Sequence, residues 1–253
     1  MISKAKIKFV HTLEQKKARI REQLFVAEGP KVVGDLMARF QPKMLFHTAD
    51  WHTPLGGATG AETDETVSEE ELKKLSFLQH PQQVLAVFPL PHTEATDTKL
   101  PSQQLCLAID GVQDPGNVGT IIRVADWFGI TQIYCSHETA DVYNPKVVQA
   151  TMGSLARVDI HYTDLASLID HLPNDCPVYG TLLDGNNLYQ QELSDHGLIV
   201  MGNEGKGLTA EVRQRVNNRL LIPNYPKGRD TAESLNVAIA TAIVCAEFRR
   251  RIE

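Results

Sequence analysis

Apolar positions along the chain follow two rhythms. Short runs rich in Val, Ile, Leu and Phe predict strands over Leu24–Glu28, Met44–Thr48, Gln83–Phe88, Leu105–Asp110, Gln132–Ser136, Val158–Tyr162, Val178–Leu183, Leu198–Gly202 and Arg219–Pro223. Between them a helical period predicts helices over Lys4 to about Arg21, Pro30–Phe40, Glu69–Leu75, Asn117–Phe128, Pro145–Leu155, Leu165–Leu172, Thr209–Val216 and Ser234–Arg251. Pro30 suits a first helical turn, and Ser68 suits an N-cap. From Leu105 onward strand and helix alternate regularly, which implies a mostly parallel sheet covered by helices. Pro89–Pro101 breaks the periodicity and divides the chain into 1–98, a small α/β domain, and 99–253, a larger α/β domain. The last helix carries almost no polar face, so it must bury against the sheet or against a second subunit.

Charge modifies this picture. The chain has 253 residues and a formal net charge of −6, which argues against a protein that coats nucleic acid indiscriminately. The cations are segregated, however, with Lys4, Lys6, Lys8, Lys16, Lys17, Arg19, Arg21 and Lys31 crowded into the opening and an acidic cluster at residues 62–71. A solvated basic helix and an RNA-binding edge explain this equally well. The four cysteines stand apart and form no C-x-x-C pair, so buried free thiols are expected, with no disulfide and no metal site. With no apolar run long enough for a membrane span, a soluble, cytoplasmic protein with no membrane partner is the expectation.

Three stretches carry candidate chemistry. The first, Asp110 to Phe128, is a strand running into a Gly/Pro turn and a helix, and strand carboxyl ends are where open α/β sheets collect ligands. Asn117 at the helix start is an N-cap candidate. Arg123 interrupts an apolar run near a helix N-terminus, where the macrodipole disfavours a cation, so function outweighs structure there. The glycine spacing invites a dinucleotide-binding reading, but it is G-x-x-x-x-G-x-x-G and contains Pro115, which leaves a nicotinamide-dependent dehydrogenase as a weak alternative. The second stretch, Leu198–Leu208, feeds an apolar strand into a loop of three glycines around Glu204, and it lacks the spacing and the Ser/Thr of a nucleotide-phosphate loop. The third joins Leu220–Pro223 to Glu233–Val237, where Ser234 is most simply an N-cap and Asn236 either a structural hydrogen bond or a ligand contact.

In this order the three stretches resemble the motifs of the SpoU or TrmH family of RNA ribose methyltransferases, and Asn144–Val148 with Met152–Leu155 resembles the family's intervening segment. Phe25–Lys31 is similar to the ribosomal-protein-L30-like substrate-binding domain that many members carry. The resemblance implies a trefoil-knotted catalytic domain that binds S-adenosylmethionine, acts as a homodimer, and methylates a ribose 2′-hydroxyl in structured rRNA or tRNA. It implies that Asn117, Arg123, Glu204, Ser234 and Asn236 surround the reacting centre. Cofactor contacts are implied for Thr181, Leu182, Met201, Gly202, Asn203, Gly205, Ile222, Leu235 and Asn236. Arg123 matches the family's hydroxyl activator, although a guanidinium is better suited to orienting the hydroxyl and stabilising developing alkoxide charge. The loop Asn224–Glu233 is longer than usual and carries Lys227 and Arg229, which suggests added phosphate grip. A non-catalytic RNA-binding protein of the same fold is the competing expectation.

Overall fold

The computed structural model describes residues 2–54, 56, 58–91, 97–226 and 232–251. In chain order it opens with α1 (Lys4–Thr12), α2 (Lys16–Glu22), β1 (Leu24–Glu28), α3 (Pro30–Met37), β2 (Met44–His47), β3 (Thr63–Thr66), α4 (Glu69–Leu75) and β4 (Val84–Pro89). It continues with β5 (Leu105–Asp110), α5 (Pro115–Trp127), β6 (Gln132–Cys135), α6 (Pro145–Ala150), β7 (Asp159–Tyr162) and α7 (Leu165–Asp170). The last elements are β8 (Val178–Asn187), β9 (Gly197–Gly202), α8 (Ala210–Arg215), β10 (Asn218–Leu221) and α9 (Val237–Arg250). Two compact units form: Met1–His92 with Asp141–Ala156, and Thr93–Ala140 with Arg157–Glu253.

The first unit is built on a four-stranded sheet of order β1-β4-β2-β3. β1 and β4 are buried along nearly their whole length and pair antiparallel, Leu24 opposite Pro89 through Glu28 opposite Leu85. α4 starts on a full capping box, with the Ser68 hydroxyl accepting from Glu71 N and the Glu71 carboxylate accepting from Ser68 N. The single opening helix read from the sequence is in fact two. α1 ends at Thr12, Leu13 turns inward to full burial, and α2 restarts at Lys16. The break brings Arg19 inside, where its guanidinium donates to the Leu13 carbonyl at 2.8 Å and the Glu14 carbonyl at 2.7 Å and pairs with Asp141. Arg19 therefore caps the end of α1 and fastens Asp141–Ala156 to this unit, while Lys4, Lys8, Lys16, Lys17 and Arg21 remain exposed.

The second unit carries a six-stranded, wholly parallel sheet of order β10-β8-β9-β5-β6-β7. β5 is buried at every residue and lies in register with β9, from Leu105 opposite Gly197 to Asp110 opposite Gly202, so the first two candidate motifs end side by side at the centre of the sheet. Buried Leu168, Cys176, Val178, Leu198, Val200 and Val212 form a core on this sheet. All four cysteines are buried and free, and burial pushes the Cys106 and Cys245 thiols up to about 12. α9 is apolar but not buried all round. Val237, Ala238, Val244, Cys245 and Phe248 face inward, whereas Ile239 is 53% exposed and Ala246 is exposed. Among the described residues no helix is long and apolar enough to cross a membrane.

Candidate active site

One polar residue from each of the three motifs, Asn117, Glu204 and Asn236, meets the others at the carboxyl ends of β5 and β9. α5 begins at Pro115, two residues before the predicted start, because the Asp114 carboxylate caps it and accepts from Asn117 N at 2.8 Å. Asn117 is thus the third helical residue, and its side chain is released from capping. Asn117 Nδ2 donates to Glu204 Oε1 at 2.7 Å. Asn117 Oδ1 accepts from Asn236 Nδ2 at 2.9 Å. Asn236 Oδ1 in turn accepts from Ala238 N at 3.0 Å and Ile239 N at 3.2 Å, which makes Asn236 the N-cap of α9. The cap read onto Ser234 is therefore corrected: α9 starts three residues later, and Ser234 lies exposed ahead of it. One continuous chain of hydrogen bonds runs from the start of α9, through Asn117, to the Glu204 carboxylate.

The loop that bears Glu204 is held at both ends. Asn203 Nδ2 donates to the Gly111 carbonyl at 2.7 Å, while Asn203 Oδ1 accepts from Gly205 N and Lys206 N, each at 3.0 Å. The backbones of Asn203 and Gly207 pair reciprocally, closing the turn. Beyond it the buried Asp110 carboxylate takes both Thr209 N, at 2.7 Å, and Thr209 Oγ1, at 2.9 Å. Gly202 sits where nothing larger fits. A Cβ there would lie 2.5 Å from the Gly207 carbonyl carbon and 2.7 Å from Leu208 N, which are backbone atoms that cannot swing aside. Gly111 N is taken by Ser136 Oγ at 2.9 Å and Thr139 Oγ1 at 3.2 Å, so the β5 turn is fixed from its other side as well. Thr209, Ser136 and Thr139 were not singled out in the sequence, and Asp110 only as the start of the first motif, although a carboxylate ending an otherwise apolar strand was a usable signal.

The residues expected around a cofactor occupy the neighbouring strand ends. Thr181 on β8 reaches across to β9, its hydroxyl 3.4 Å from the Val200 carbonyl and 3.7 Å from Met201 Sδ. Leu182 and Met201 are buried, Gly202 and Ile222 half-buried, and Gly205 exposed. Leu183 is 73% exposed and Leu235 49% exposed, a costly way to hold large apolar side chains in water. Main-chain groups, apolar side chains and one hydroxyl make a surface suited to the flat face and ring nitrogens of a nucleoside.

Arg123 lies apart from this cluster. It is the ninth residue of α5, past the middle of the helix, so the unfavourable dipole argument does not apply to it. It is exposed on the face shared by Gly116, Thr120 and Trp127, and among the described residues it has no hydrogen bond or ion pair. The carboxylate partner that a structural role would require is not found among the described residues. Lys227 and Arg229 lie outside the described residues. Among those residues no three His, Cys, Asp or Glu side chains are grouped to hold a metal.

Residues 104–246, which hold the parallel sheet, the Gly-rich loop, the carboxylate and the two interlocked asparagines, match the SpoU rRNA methylase family, and the chain belongs to it. Residues 4–86 match the MRM3-like substrate binding domain. The chain is 32% identical over 247 residues to the 23S rRNA (guanosine(2553)-2'-O)-methyltransferase RlmP of Bacillus subtilis, with 96% of each chain covered. A solved structure from Porphyromonas gingivalis, assigned to the TrmH family of RNA methyltransferases, superimposes with a TM-score of 0.89 at 42% identity over 99% of both chains. The AdoMet-bound rRNA methyltransferase of Sinorhizobium meliloti gives a TM-score of 0.85 at 28% identity, covering 100% of this chain and 97% of that one. The family resemblance read from the three motifs is borne out, and the dehydrogenase alternative falls.

Proposed function

We propose that this protein transfers the methyl group of S-adenosylmethionine to a ribose 2′-hydroxyl in ribosomal RNA, acting in the cytoplasm. The observation that carries the reading is the Asn236–Asn117–Glu204 chain, which ties all three motifs to one carboxylate at the strand ends. The bound cofactor supplies an electrophilic methyl on a sulfonium centre. Gly202, Met201, Thr181, Leu182, Ile222 and Leu235 hold it, largely through main-chain groups and apolar contact. Glu204 has one carboxylate oxygen engaged by Asn117, and its second oxygen has no partner among the described residues, which leaves an acceptor for a ribose hydroxyl. Asn203 and Asp110 position that carboxylate by pinning its loop. Arg123, exposed and apart from the cluster of its own chain, reaches a reacting centre across the proposed homodimer, where its fixed positive charge orients the RNA and stabilises the developing alkoxide, and Ser234 sits ahead of α9 as a further hydroxyl for the substrate.

The proposed assembly is a homodimer. The apolar face of α9, with Ile239 and Ala246 exposed and Ile243 half-buried between them, needs a cover, and the 82% exposed Trp127 next to Arg123's turn of α5 needs the same. A second copy of this chain supplies that cover and brings Arg123 to the edge of the interface. The proposed knot has its own support. Leu221 ends the edge strand β10, two strands from β9, while Asn236 is bonded to Asn117 at the start of α5, so the two ends of this connection stand on opposite sides of β8 and β9. Pulled from its two termini, a knotted chain extends to less than its contour length.

The test is transfer of labelled methyl from S-adenosylmethionine to ribosomal RNA and to transfer RNA, with the site read from resistance of the 2′-O-methylated linkage to alkaline cleavage. Label appears in ribosomal RNA, and Arg123→Ala loses turnover while keeping cofactor affinity. Cofactor binding without label in either RNA would leave a non-catalytic binding protein. Light scattering checks the dimer: Ile239→Arg yields monomer, and an unchanged dimer refutes the assigned face.

A further inference from the structure

The substrate-binding unit contains a cleft of about 340 Å³ that the methyl-transfer reading does not use, at the small end of the range of ligand sites. Val26, Phe77, Leu78 and Pro145 give it apolar walls, Lys146 stands at its side, and Glu28 lines it from the end of β1. Glu28 is only 5% exposed. Its carboxylate accepts one hydrogen bond from the Ser76 hydroxyl and one from Phe77 N, at 2.8 Å, and has no ion-pair partner among the described residues. Burial pushes this carboxyl above its ordinary range, against the lowering pull of both hydrogen bonds and of the nearby His11. Two protein donors fill half of what a carboxylate accepts, so a pair of acceptor positions is left at the wall of an apolar cleft.

We propose that this cleft binds the guanine of an unpaired nucleotide in the RNA, with Glu28 accepting from guanine N1–H and N2–H. The proposal rests on the reading that the chain acts on RNA. Guanine is the base that offers two adjacent donors on its Watson–Crick edge, which a carboxylate takes together. Adenine and cytosine each offer one amino group there, and uracil offers one imide. The apolar walls suit a flat ring, and the exposed Lys146 suits the phosphate beside it. An arginine side chain from a protein partner would also satisfy Glu28, but Lys146 would repel it. The buried acceptor with a cation at its side favours a nucleotide.

The experiment uses the full chain and three single-stranded RNA probes, UUGUU and the same sequence with inosine or adenosine at the centre, with affinity measured by fluorescence anisotropy. The guanosine probe binds about tenfold or more tightly than either of the others, since inosine lacks the N2 amino group and adenine lacks both donors. Glu28→Gln removes that preference. Gln149→Trp, which fills the cleft from α6 and leaves Glu28 in place, removes it too, so a folding defect in the first variant does not decide the outcome. Lys146→Ala weakens all three probes equally and lowers the salt slope. Equal affinity for the three probes, or a guanosine preference that survives both cleft variants, overturns the proposal. Methyl transfer by the wild-type chain is measured in parallel: absence of transfer with guanosine preference intact removes the catalytic reading and leaves the cleft standing, and the reverse result removes the cleft alone.

Discussion

Replacing Asn117 with alanine isolates the central link of the site. The substitution deletes the donor 2.7 Å from Glu204 Oε1 and the acceptor 2.9 Å from Asn236 Nδ2. A hydrogen bond to a charged group contributes about 1.5–3 kcal/mol net, and partial exposure here argues for the lower end. At about 1.4 kcal/mol per factor of ten, loss of Glu204 orientation costs about tenfold in turnover, rising towards a hundredfold if the second oxygen also drifts. Folding is little affected. Asp114 still caps α5 and alanine is a good helix former, so the melting midpoint moves by less than about 4 °C. Single-turnover methyl transfer, with cofactor affinity from calorimetry, separates orientation from binding: the rate falls and the affinity holds. In a Glu204→Gln background the same change adds little, because the two residues act as one unit. Asn117→Asp is the sharper variant, since it sets two carboxyl groups against each other. Activity falls further at neutral pH and recovers in part as pH drops and the introduced carboxyl becomes a donor again. Wild-type turnover in Asn117→Ala, or full additivity with Glu204→Gln, refutes the assignment.

Three further predictions probe the framework. Gly202→Ala drives a Cβ to 2.5 Å from the Gly207 backbone, so the loop is displaced and cofactor affinity, measured by calorimetry, falls sharply; normal affinity would mean the loop yields freely. Asp141→Ala strands the buried Arg19 guanidinium, at a cost of about 3 kcal/mol or more, and the double variant with Arg19→Met recovers most of the loss in thermal denaturation. The Glu247 carboxyl is held down at about 2 from its ordinary 4.5, by hydrogen bonds from Arg250 first and Arg251 next. A depressed carboxyl binds fewer protons folded than unfolded, so its stabilisation is complete above about 4.5 and is lost as pH falls towards about 2. Glu247→Gln flattens the stability profile in that acid window; an unchanged slope there refutes the linkage.

The fold was legible wherever burial is two-sided or local chemistry is unambiguous. β5 and β9 read as unbroken apolar runs because parallel strands are covered on both faces, and α4 announced itself through Ser68 as its N-cap. β3 did not, since Thr63–Thr66 is a polar edge strand specified only by its pairing with β2. Strand order was equally hidden. That β8 lies between β10 and β9 is a long-range fact, as is the packing of Asp141–Ala156 with the first unit through Arg19.

The candidate site shows why ordered motifs say more than the residues inside them. Taken singly, Asn117 and Ser234 each had a capping role to absorb them and Asn236 a structural hydrogen bond, and local sequence could not decide which residue was the real cap. The structure moves the caps to Asp114 and Asn236, and both displacements act in the same direction. With Asp114 at the start of α5, Asn117 has its whole amide free. With Asn236 capping α9 through Oδ1, its Nδ2 is left to meet that amide. The start of one helix is thereby locked to the first turn of another, and the joint ends on a carboxylate. A slip of one residue in either cap would turn its asparagine by about 100° around the helix and separate the pair. The capping residues are therefore part of the site's geometry, and Asp114→Ala should lower methyl transfer through Asn117 even though it touches neither Glu204 nor the strand ends.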